Sequence, residues 1–520
     1  MALIQSIATV GAFTLLSRLT GFARDILVAN VLGAGMAADA FFAAFKLPNL
    51  FRRLFAEGAF TAAFVPLYAS ALETDGNREA DSFAARALSV LAVVLLAVLG
   101  LAEAMMPWIM ELFTPGFGAV PGKMDLAVTL ARITFPYLLF ISVVSLLAGV
   151  LNSLNRFASA AATPILLNMS MIAFLLAGAP FMESPAHALA LGVSVAGVLQ
   201  LLWLAVACAR AGVCLTPAWP RWDDRVRLLV RRIVPAAFGA GLYHINLVID
   251  TIFASLIFDG AVSFLYYADR VSQLPLGVVG VAVGTALLPL MSRQLRAGDE
   301  KGAIASQNRA MEFALLLTVP AAAALVVLAE PIIAVLFERG AFGASQTHAT
   351  AGALAAFALG LPAYVLTKAL TPGFFARYDT ATPVKVAAAG LVLNVLLSLA
   401  LMGPLAHVGL ALSSALSAWF NVTALWMILS RRGQGRLDDR LKTRVPRLIA
   451  ISLVLGGVLA AGQRGVAFWL GETLWMRIGA MTILVVGGLM VFAGLASLSG
   501  VARLSDLKGL RGGGETSQGG

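Results

Sequence analysis

The chain has 520 residues, of which 60% are hydrophobic and only 12% are charged, and its mean hydropathy is +0.89. Soluble domains carry about 25% charged residues, so this composition excludes an ordinary soluble protein. The net charge is +10, and the two cysteines, Cys208 and Cys214, are too few for a disulfide framework or a zinc site.

Apolar runs of about 18 residues or more recur along the whole chain, which predicts an all-α polytopic membrane protein. The first run contains arginines and lacks a small-residue cleavage site after it, so we interpret it as a retained span and not as a signal peptide. The fourteen predicted spans are 5–30, 38–70, 84–110, 126–151, 157–179, 186–210, 229–257, 262–292, 308–329, 347–371, 384–402, 407–430, 446–463 and 475–498.

Lysine and arginine are distributed unequally between alternate loops. If the N-terminus is cytoplasmic, the cytoplasmic loops and tail hold 25 of the 37 Lys and Arg, whereas the opposite side holds four. The positive-inside rule therefore predicts that both termini are cytoplasmic. This asymmetry favours an anionic inner leaflet and explains most of the net charge, so no nucleic-acid partner is expected.

An internal repeat with an offset of roughly 220 residues divides most of the chain into two halves. Segment 25–66 is similar to 250–289, and 156–164 is similar to 377–383. The offset equals six spans, so the halves share one orientation, as in transporters with parallel repeats. We predict two parallel six-helix lobes plus two extra C-terminal helices. The predicted domains are 1–212, 213–432, spans 13 and 14 in 433–500, and a partly disordered cytoplasmic tail, 501–520.

Charges inside the first two spans are the strongest functional signal. Each costs about 3 kcal/mol or more in a bilayer, so a polar stripe that faces a water-filled cavity is the favoured interpretation. Asp39, Lys46 and Arg53 are seven residues apart and fall on one helix face. The alternative is that these ions pair and only hold two helices together. The candidates here are Arg18, Arg24, Asp25, Asp39, Lys46, Arg52, Arg53 and Glu57.

The eighth span adds Asp269 and Arg270, for which a local pair that anchors a helix end is the alternative. Together, the cavity candidates give six positive and four negative charges. The planar fork of arginine suits bidentate phosphate binding. The surplus of positive charge therefore predicts a substrate with a diphosphate.

A second candidate site centres on Asp250, deep in span 7. A carboxyl group there is protonated, paired or bound to a cation. Asn394 and Ser398 on span 11 and Ser414 on span 12 could supply neutral oxygens, which makes this a candidate site for sodium or proton coupling. No other cofactor is expected. The chain lacks a P-loop pattern and a nucleophile–base set, so we predict a transporter and not an enzyme.

Several motifs resemble one known family. The first two spans contain SRLTGFARD (17–25), ADAFF (38–42), FKLPNL (45–50) and RRLFAEGAF (52–60), and later spans contain YYADR (266–270) and TPVK (382–385). These motifs resemble those of the MurJ/MviN lipid II flippases, and the similarity extends over essentially all the predicted spans.

The resemblance implies a MOP-superfamily exporter fold of two six-helix lobes. It implies alternating-access flipping of lipid II, the undecaprenyl-diphosphate-linked peptidoglycan precursor, from the cytoplasmic to the periplasmic leaflet of the bacterial inner membrane. It further implies contact with membrane lipids and with cell-wall synthesis proteins, and a groove along spans 13 and 14 for the lipid tail.

The resemblance also assigns roles to individual residues. Asp250 and Asn394 fit the family's cation site, whereas Ser398 stands where some relatives have an acid. Arg18, Arg24, Arg52 and Arg270 stand at positions of the family's cavity arginines, and Asp39, Lys46, Arg53, Glu57 and Asp269 also match.

Three other functions compete with lipid II flipping. A flippase for another lipid-linked oligosaccharide would have a similar sequence. A cation-coupled drug antiporter of the same superfamily would usually have twelve spans and an acidic cavity. A membrane scaffold without transport activity would leave the in-membrane cations unexplained.

Overall fold

The computed structural model describes residues 2–52, 60–213, 215, 218–471 and 473–501. These residues form α-helices joined by short turns, and they contain no β-strand. The prediction of an all-α protein is therefore confirmed. The first eight helices are α1 (Ala2–Leu32), α2 (Met36–Phe51), α3 (Phe60–Thr74), α4 (Asn77–Phe113), α5 (Lys123–Thr134), α6 (Tyr137–Ser153), α7 (Phe157–Ala173) and α8 (Pro185–Arg210). The others are α9 (Asp224–Ser255), α10 (Ala261–Arg296), α11 (Glu300–Val327), α12 (Ala329–Phe337), α13 (Ala344–Phe375), α14 (Ala381–Arg431), α15 (Asp439–Gly465), α16 (Ala467–Gly471) and α17 (Leu474–Leu498).

Nine helical segments in the described part of the chain are long and apolar enough to cross a membrane. A helix satisfies its own backbone hydrogen bonds, which is required where no water is present. In α4 and α17, only 17% of the most apolar window is buried inside the protein. Leu101, Leu112 and Leu489 are among the exposed side chains of these helices, so their outer faces suit contact with lipid.

The described residues fall into two compact units. The first, unit 1, comprises Met1–Ser263 with Arg339–Gly343, and the second, unit 2, comprises Phe264–Glu338 with Ala344–Gly520. Residues 502–520, which include nearly all of the predicted disordered tail, lie outside the described residues. The predicted lobe boundary near residue 212 stays a prediction.

Close helix contacts in unit 1 depend on small residues. Helix α8 packs against α6 and α7, and α1 packs against α7. At Gly197 of α8, an added Cβ would lie 2.9 Å from Cβ of Phe140 on α6, and at Gly192 it would lie 3.2 Å from Cα of Met171 on α7. Small residues allow two helices to approach this closely. The resulting van der Waals packing favours helix association in a membrane, where there is no hydrophobic driving force between helices.

In unit 2, α13 packs against both α14 and α11, and α15 packs against α11 and α17. Leu366, Leu370 and Phe374 of α13 lie in the core of this unit. The turn before α14 is fixed by Asp379, which pairs with Arg432 at 2.7 Å and accepts hydrogen bonds from the hydroxyl and the backbone N–H of Thr382. These contacts, with Arg432 the strongest, lower the pKa of Asp379 to about 2.

Helix α14 is interrupted at Ala406, where φ is 49° and ψ is −133°. This residue lies two positions after Pro404, and proline is a common cause of helix breaks. The interruption separates the predicted spans 384–402 and 407–430. Positive φ also occurs at Asn155 and Tyr378, in the turns before α7 and α14. Tyr378 lies within the matched segment 377–383, whereas Asn155 immediately precedes the matched segment 156–164.

Candidate functional site

Arg24 and Asp25 of α1 form a buried ion pair. The Arg24 Nη2 atom lies 2.6 Å from Asp25 Oδ1, and the two side chains are 7% and 4% exposed. Arg24 Nη1 also donates to Asn168 Oδ1 on α7 at 2.9 Å, while Asn168 Nδ2 donates to Ser17 O and Thr20 Oγ1. The α7 amide therefore fixes Arg24 in position, and no pattern in the sequence indicates this role for Asn168.

Arg18 and Arg52 have different surroundings. Arg18 is exposed, and within the part of the chain that the structure describes it forms no hydrogen bond or ion pair. Arg52 is half-buried, and its Nε donates to Asn49 Oδ1 at 3.1 Å. The predicted site residues Arg53 and Glu57 lie outside the described residues.

Asp39 is completely buried and is held by four hydrogen bonds. Its Oδ1 accepts from the backbone N–H and the hydroxyl of Ser263, at 2.8 and 2.6 Å. Its Oδ2 accepts from Lys123 Nζ and from the backbone N–H of Gly260, both at 2.8 Å. Asp39 thus satisfies backbone donors at the beginning of α10, as a capping carboxylate does. In this arrangement both carboxylate oxygens are engaged by the protein itself.

Lys123, the first residue of α5, is a buried cation that the sequence does not mark as a site residue. Its side chain is 2% exposed and lies between Asp39 and Asp259, at 2.8 and 2.6 Å, with its ammonium 4.2 Å from the centre of the Phe117 ring. The sequence does contain a signal for this pairing. The carboxylates Asp39 and Asp259 and the cation Lys123 all lie at span ends on the same predicted side of the membrane. The positive-inside count instead places Lys123 among the loop cations.

Lys46 extends the same face of α2. Its Nζ donates to Thr251 Oγ1 on α9 at 2.6 Å. Asp39 and Lys46 therefore both contact the segment 251–263, as residues seven apart on one helix face should. The contacts of these two residues join α2 to α5 and α9. A role for them in substrate binding stays a prediction.

In unit 2, Tyr266 positions the predicted cation of α10. The Arg270 guanidinium lies 4.8 Å from the centre of the Tyr266 ring, and its Nη2 donates to the tyrosine hydroxyl at 3.1 Å. Stacking of this kind suits the planar guanidinium of arginine better than the ammonium of lysine. Asp269 accepts a hydrogen bond from Gln273 on the next turn.

The candidate cation ligands are divided between the two units. Asp250 is a half-buried residue of α9 in unit 1, whereas Asn394, Ser398 and Ser414 belong to α14 in unit 2. Asn394 and Ser398 are buried, and the hydroxyl groups of Ser398 and Ser413 form a hydrogen bond with an Oγ–Oγ distance of 2.7 Å. Ser413, the neighbour of the predicted Ser414, is thus the serine that faces Ser398.

Comparison with known proteins shows the family. A family model described as lipid II flippase MurJ matches residues 28–478. The chain belongs to the MurJ family of lipid II flippases. It is 44% identical to the probable lipid II flippase MurJ of Rhizobium tropici over 96% of this chain and 95% of that protein, and 37% identical to the lipid II flippase MurJ of Burkholderia cenocepacia over 88% and 90%. The family consists of transporters and not enzymes, and membership identifies a multi-pass inner-membrane protein.

Solved structures show the same fold. A lipid II flippase MurJ in an inward closed conformation matches with a TM-score of 0.78 and 24% identity, over 94% of this chain and 98% of that one. An inward-facing multidrug transporter of the MATE family and MOP superfamily matches with a TM-score of 0.65 and 14% identity, over 83% and 98%. The chain therefore has the helical fold of these transporters, and the count of fourteen spans stays a prediction.

Proposed function

We propose that this chain moves lipid II, a disaccharide peptide linked to undecaprenyl diphosphate, from the cytoplasmic to the periplasmic leaflet for cell-wall synthesis. The observation that carries the proposal is similarity over nearly the full length to lipid II flippases. A diphosphate headgroup cannot cross about 30 Å of hydrocarbon unaided. Fixed cations can replace its water, while the polyprenyl chain stays in lipid.

The proposed diphosphate ligands are Arg18, Arg24, Arg52 and Arg270. The exposed guanidinium of Arg18 supports this role, as does the fixed orientation of Arg24 and Arg270 by Asn168 and Tyr266. Preorganised donors bind an anion without the cost of ordering side chains. Arg53, Glu57, Asp39, Lys46 and Asp269 would set the charge balance that lets the product leave.

The test is transport of lipid II into the outer leaflet of proteoliposomes. Replacing Arg18 or Arg270 by Ala should reduce the rate at least about tenfold, because each removes a charge-assisted bond to phosphate. Lysine should restore little at Arg270, where the fork and stacking matter. Arg221→Ala, in an exposed loop, is the control and should transport normally. Normal transport by Arg18→Ala and Arg270→Ala would contradict the assignment.

The finer architecture belongs to the same proposal. It comprises fourteen spans from the apolar runs, two parallel lobes from the repeat, and two cytoplasmic termini from the charge bias. Alternating access of the lobes and a lipid-tail groove along α15 and α17 are what membership of the family implies. Coupling to sodium or protons through Asp250, Asn394, Ser398 and Ser414 is a further part of it. Contact with cell-wall synthesis proteins stays a prediction.

A further inference from the structure

Unit 1 contains a cavity of about 300 Å³ among α3, α6, α7 and α8, with Arg52 on its wall. Much of the lining is apolar, but several side chains bring polar atoms to it. Ligand pockets typically combine an apolar lining with a few placed polar groups. The polar residues of the lining are Arg52, Thr61, Ser145, Asn152, Thr163 and Gln200.

Gln200 lines this cavity and carries an unsatisfied acceptor. The residue is 1% exposed, and its Nε2 donates to the Thr163 carbonyl at 2.8 Å. Its Oε1 is buried and has no hydrogen-bond partner among the described residues. Since the amide nitrogen fixes the orientation of the side chain, the oxygen cannot exchange its place with the nitrogen without losing that bond. A buried acceptor in this state calls for a donor from a ligand or water.

The neighbouring hydroxyls also act as acceptors. Ser145 donates to the Ile141 carbonyl at 2.9 Å, and Thr163 donates to the Ala160 carbonyl at 2.7 Å. A hydroxyl has a single hydrogen, so only the lone pairs of these oxygens remain for a ligand. The lining therefore offers at least three acceptors, from Gln200, Ser145 and Thr163, and one cation, Arg52.

This arrangement selects a particular chemistry. A bare phosphate would satisfy Arg52 but would bring its oxygens against three acceptors. A group with several O–H or N–H donors and at least one acceptor oxygen matches Arg52 together with the acceptors of Gln200, Ser145 and Thr163. The volume lies at the lower end of ligand pockets, so it suits one sugar ring or the end of a peptide and not an entire disaccharide peptide.

We propose that this cavity binds a hydroxyl- or amide-bearing part of the transported headgroup, beyond the diphosphate, with Gln200 Oε1 as acceptor and Arg52 as donor. The inference rests on the proposed function. It adds a headgroup subsite inside unit 1, and Arg52 would take part both in this subsite and in binding of the diphosphate.

Binding of three lipids to the purified full chain tests the inference: undecaprenyl diphosphate, the same lipid with the disaccharide, and lipid II with disaccharide and peptide. Ala160→Leu places a larger side chain in the cavity and so reduces its volume, and Gln200→Leu removes the acceptor oxygen. Each should weaken lipid II binding about tenfold, as expected for one or two lost hydrogen bonds, and leave undecaprenyl diphosphate binding unchanged. The smallest lipid that shows the loss identifies the sugar or the peptide as the occupant.

Ala158→Leu is the matched control, because Ala158 is exposed two residues earlier on α7, and it should bind all three lipids as the parent does. Ser145→Ala removes an acceptor without adding volume, and it keeps the test valid if a leucine variant fails to fold. Parent-like affinity for all three lipids in every folded cavity variant would mean that the cavity holds only water, and would overturn the inference. Failure of the parent to bind lipid II would instead overturn the proposed function.

Discussion

Lys123 and Asp39 are 84 residues apart in the chain, yet their side chains meet at 2.8 Å in a fully buried ion pair. Lys123 also contacts Asp259, and Asp39 binds the N–H groups of Gly260 and Ser263. The Lys123 ammonium thus compensates the negative charges of Asp39 and Asp259, and the Asp39 carboxylate satisfies backbone N–H groups at the start of α10. The cluster ties α2 and α5 to the junction between α9 and α10.

Loss of Lys123 should destabilise the protein strongly. Lys123→Ala leaves Asp39 buried without its cation, and breaking a buried pair from one side costs about 3 to 5 kcal/mol. Unfolding in detergent would measure the loss. Adding Asp39→Asn should recover part of it, because the uncompensated charge is removed. Lys385→Ala, at an exposed position, is the control, and a Lys123→Ala protein as stable as this control would contradict the prediction.

The close approach of α8 to α6 gives a second prediction. Gly197→Ala places a methyl group 2.9 Å from Cβ of Phe140 and 3.0 Å from the Tyr137 ring, so backbone must move. Overpacking of this kind costs about 1 to 3 kcal/mol. Gly487→Ala in α17, where nothing lies within 4 Å of the added carbon, should be neutral or slightly stabilising. Equal melting temperatures for the two variants would show that α6 and α8 can separate freely.

The sequence predicted helices well because long apolar runs have few alternatives in a membrane. It also predicted that Asp39 and Lys46 share one face, since helical spacing is a local property. It did not predict what that face contacts. Lys123, Asn168 and Thr251 are distant in sequence from the residues they contact, and no local spacing reports such pairing.

The same limit applies at the candidate cation site. Residues 394 and 398 are one turn apart, so their shared face could be predicted. Which serine of the following segment meets Ser398 depends on the break at Ala406, because each residue added or lost there rotates the next helix by about 100°. Ser414 is therefore the predicted ligand, whereas Ser413 is the residue in contact.

Orientation in the membrane is a third prediction. Single cysteines in the loops 30–38 and 258–262 should react with an impermeant reagent from the periplasm. Cysteines in 212–228 and 432–444 should react only after permeabilisation, as the positive-inside rule requires. The background protein needs Cys208 and Cys214 replaced by Ser, although Cys208 is buried. The reverse pattern of labelling would refute the assignment of both termini to the cytoplasm.

The last prediction concerns Asp250 and coupling to an ion gradient. Asp250 precedes Thr251, the residue that receives the hydrogen bond of Lys46, so a change at Asp250 acts next to a contact between α2 and α9. A cation bound by its carboxylate would favour one conformation and so bias reorientation, to the extent that the conformations differ in affinity. We expect Asp250→Asn to slow the return step more than it weakens lipid II binding. Lipid II transport by proteoliposomes, with and without a sodium gradient, measures the first effect, and equilibrium binding measures the second.

Val248→Ala, two residues earlier on α9, removes no polar group, so it serves as the control and should retain the parent's response to sodium. Equal rates in parent and Asp250→Asn, both insensitive to sodium, would show that Asp250 only packs within unit 1.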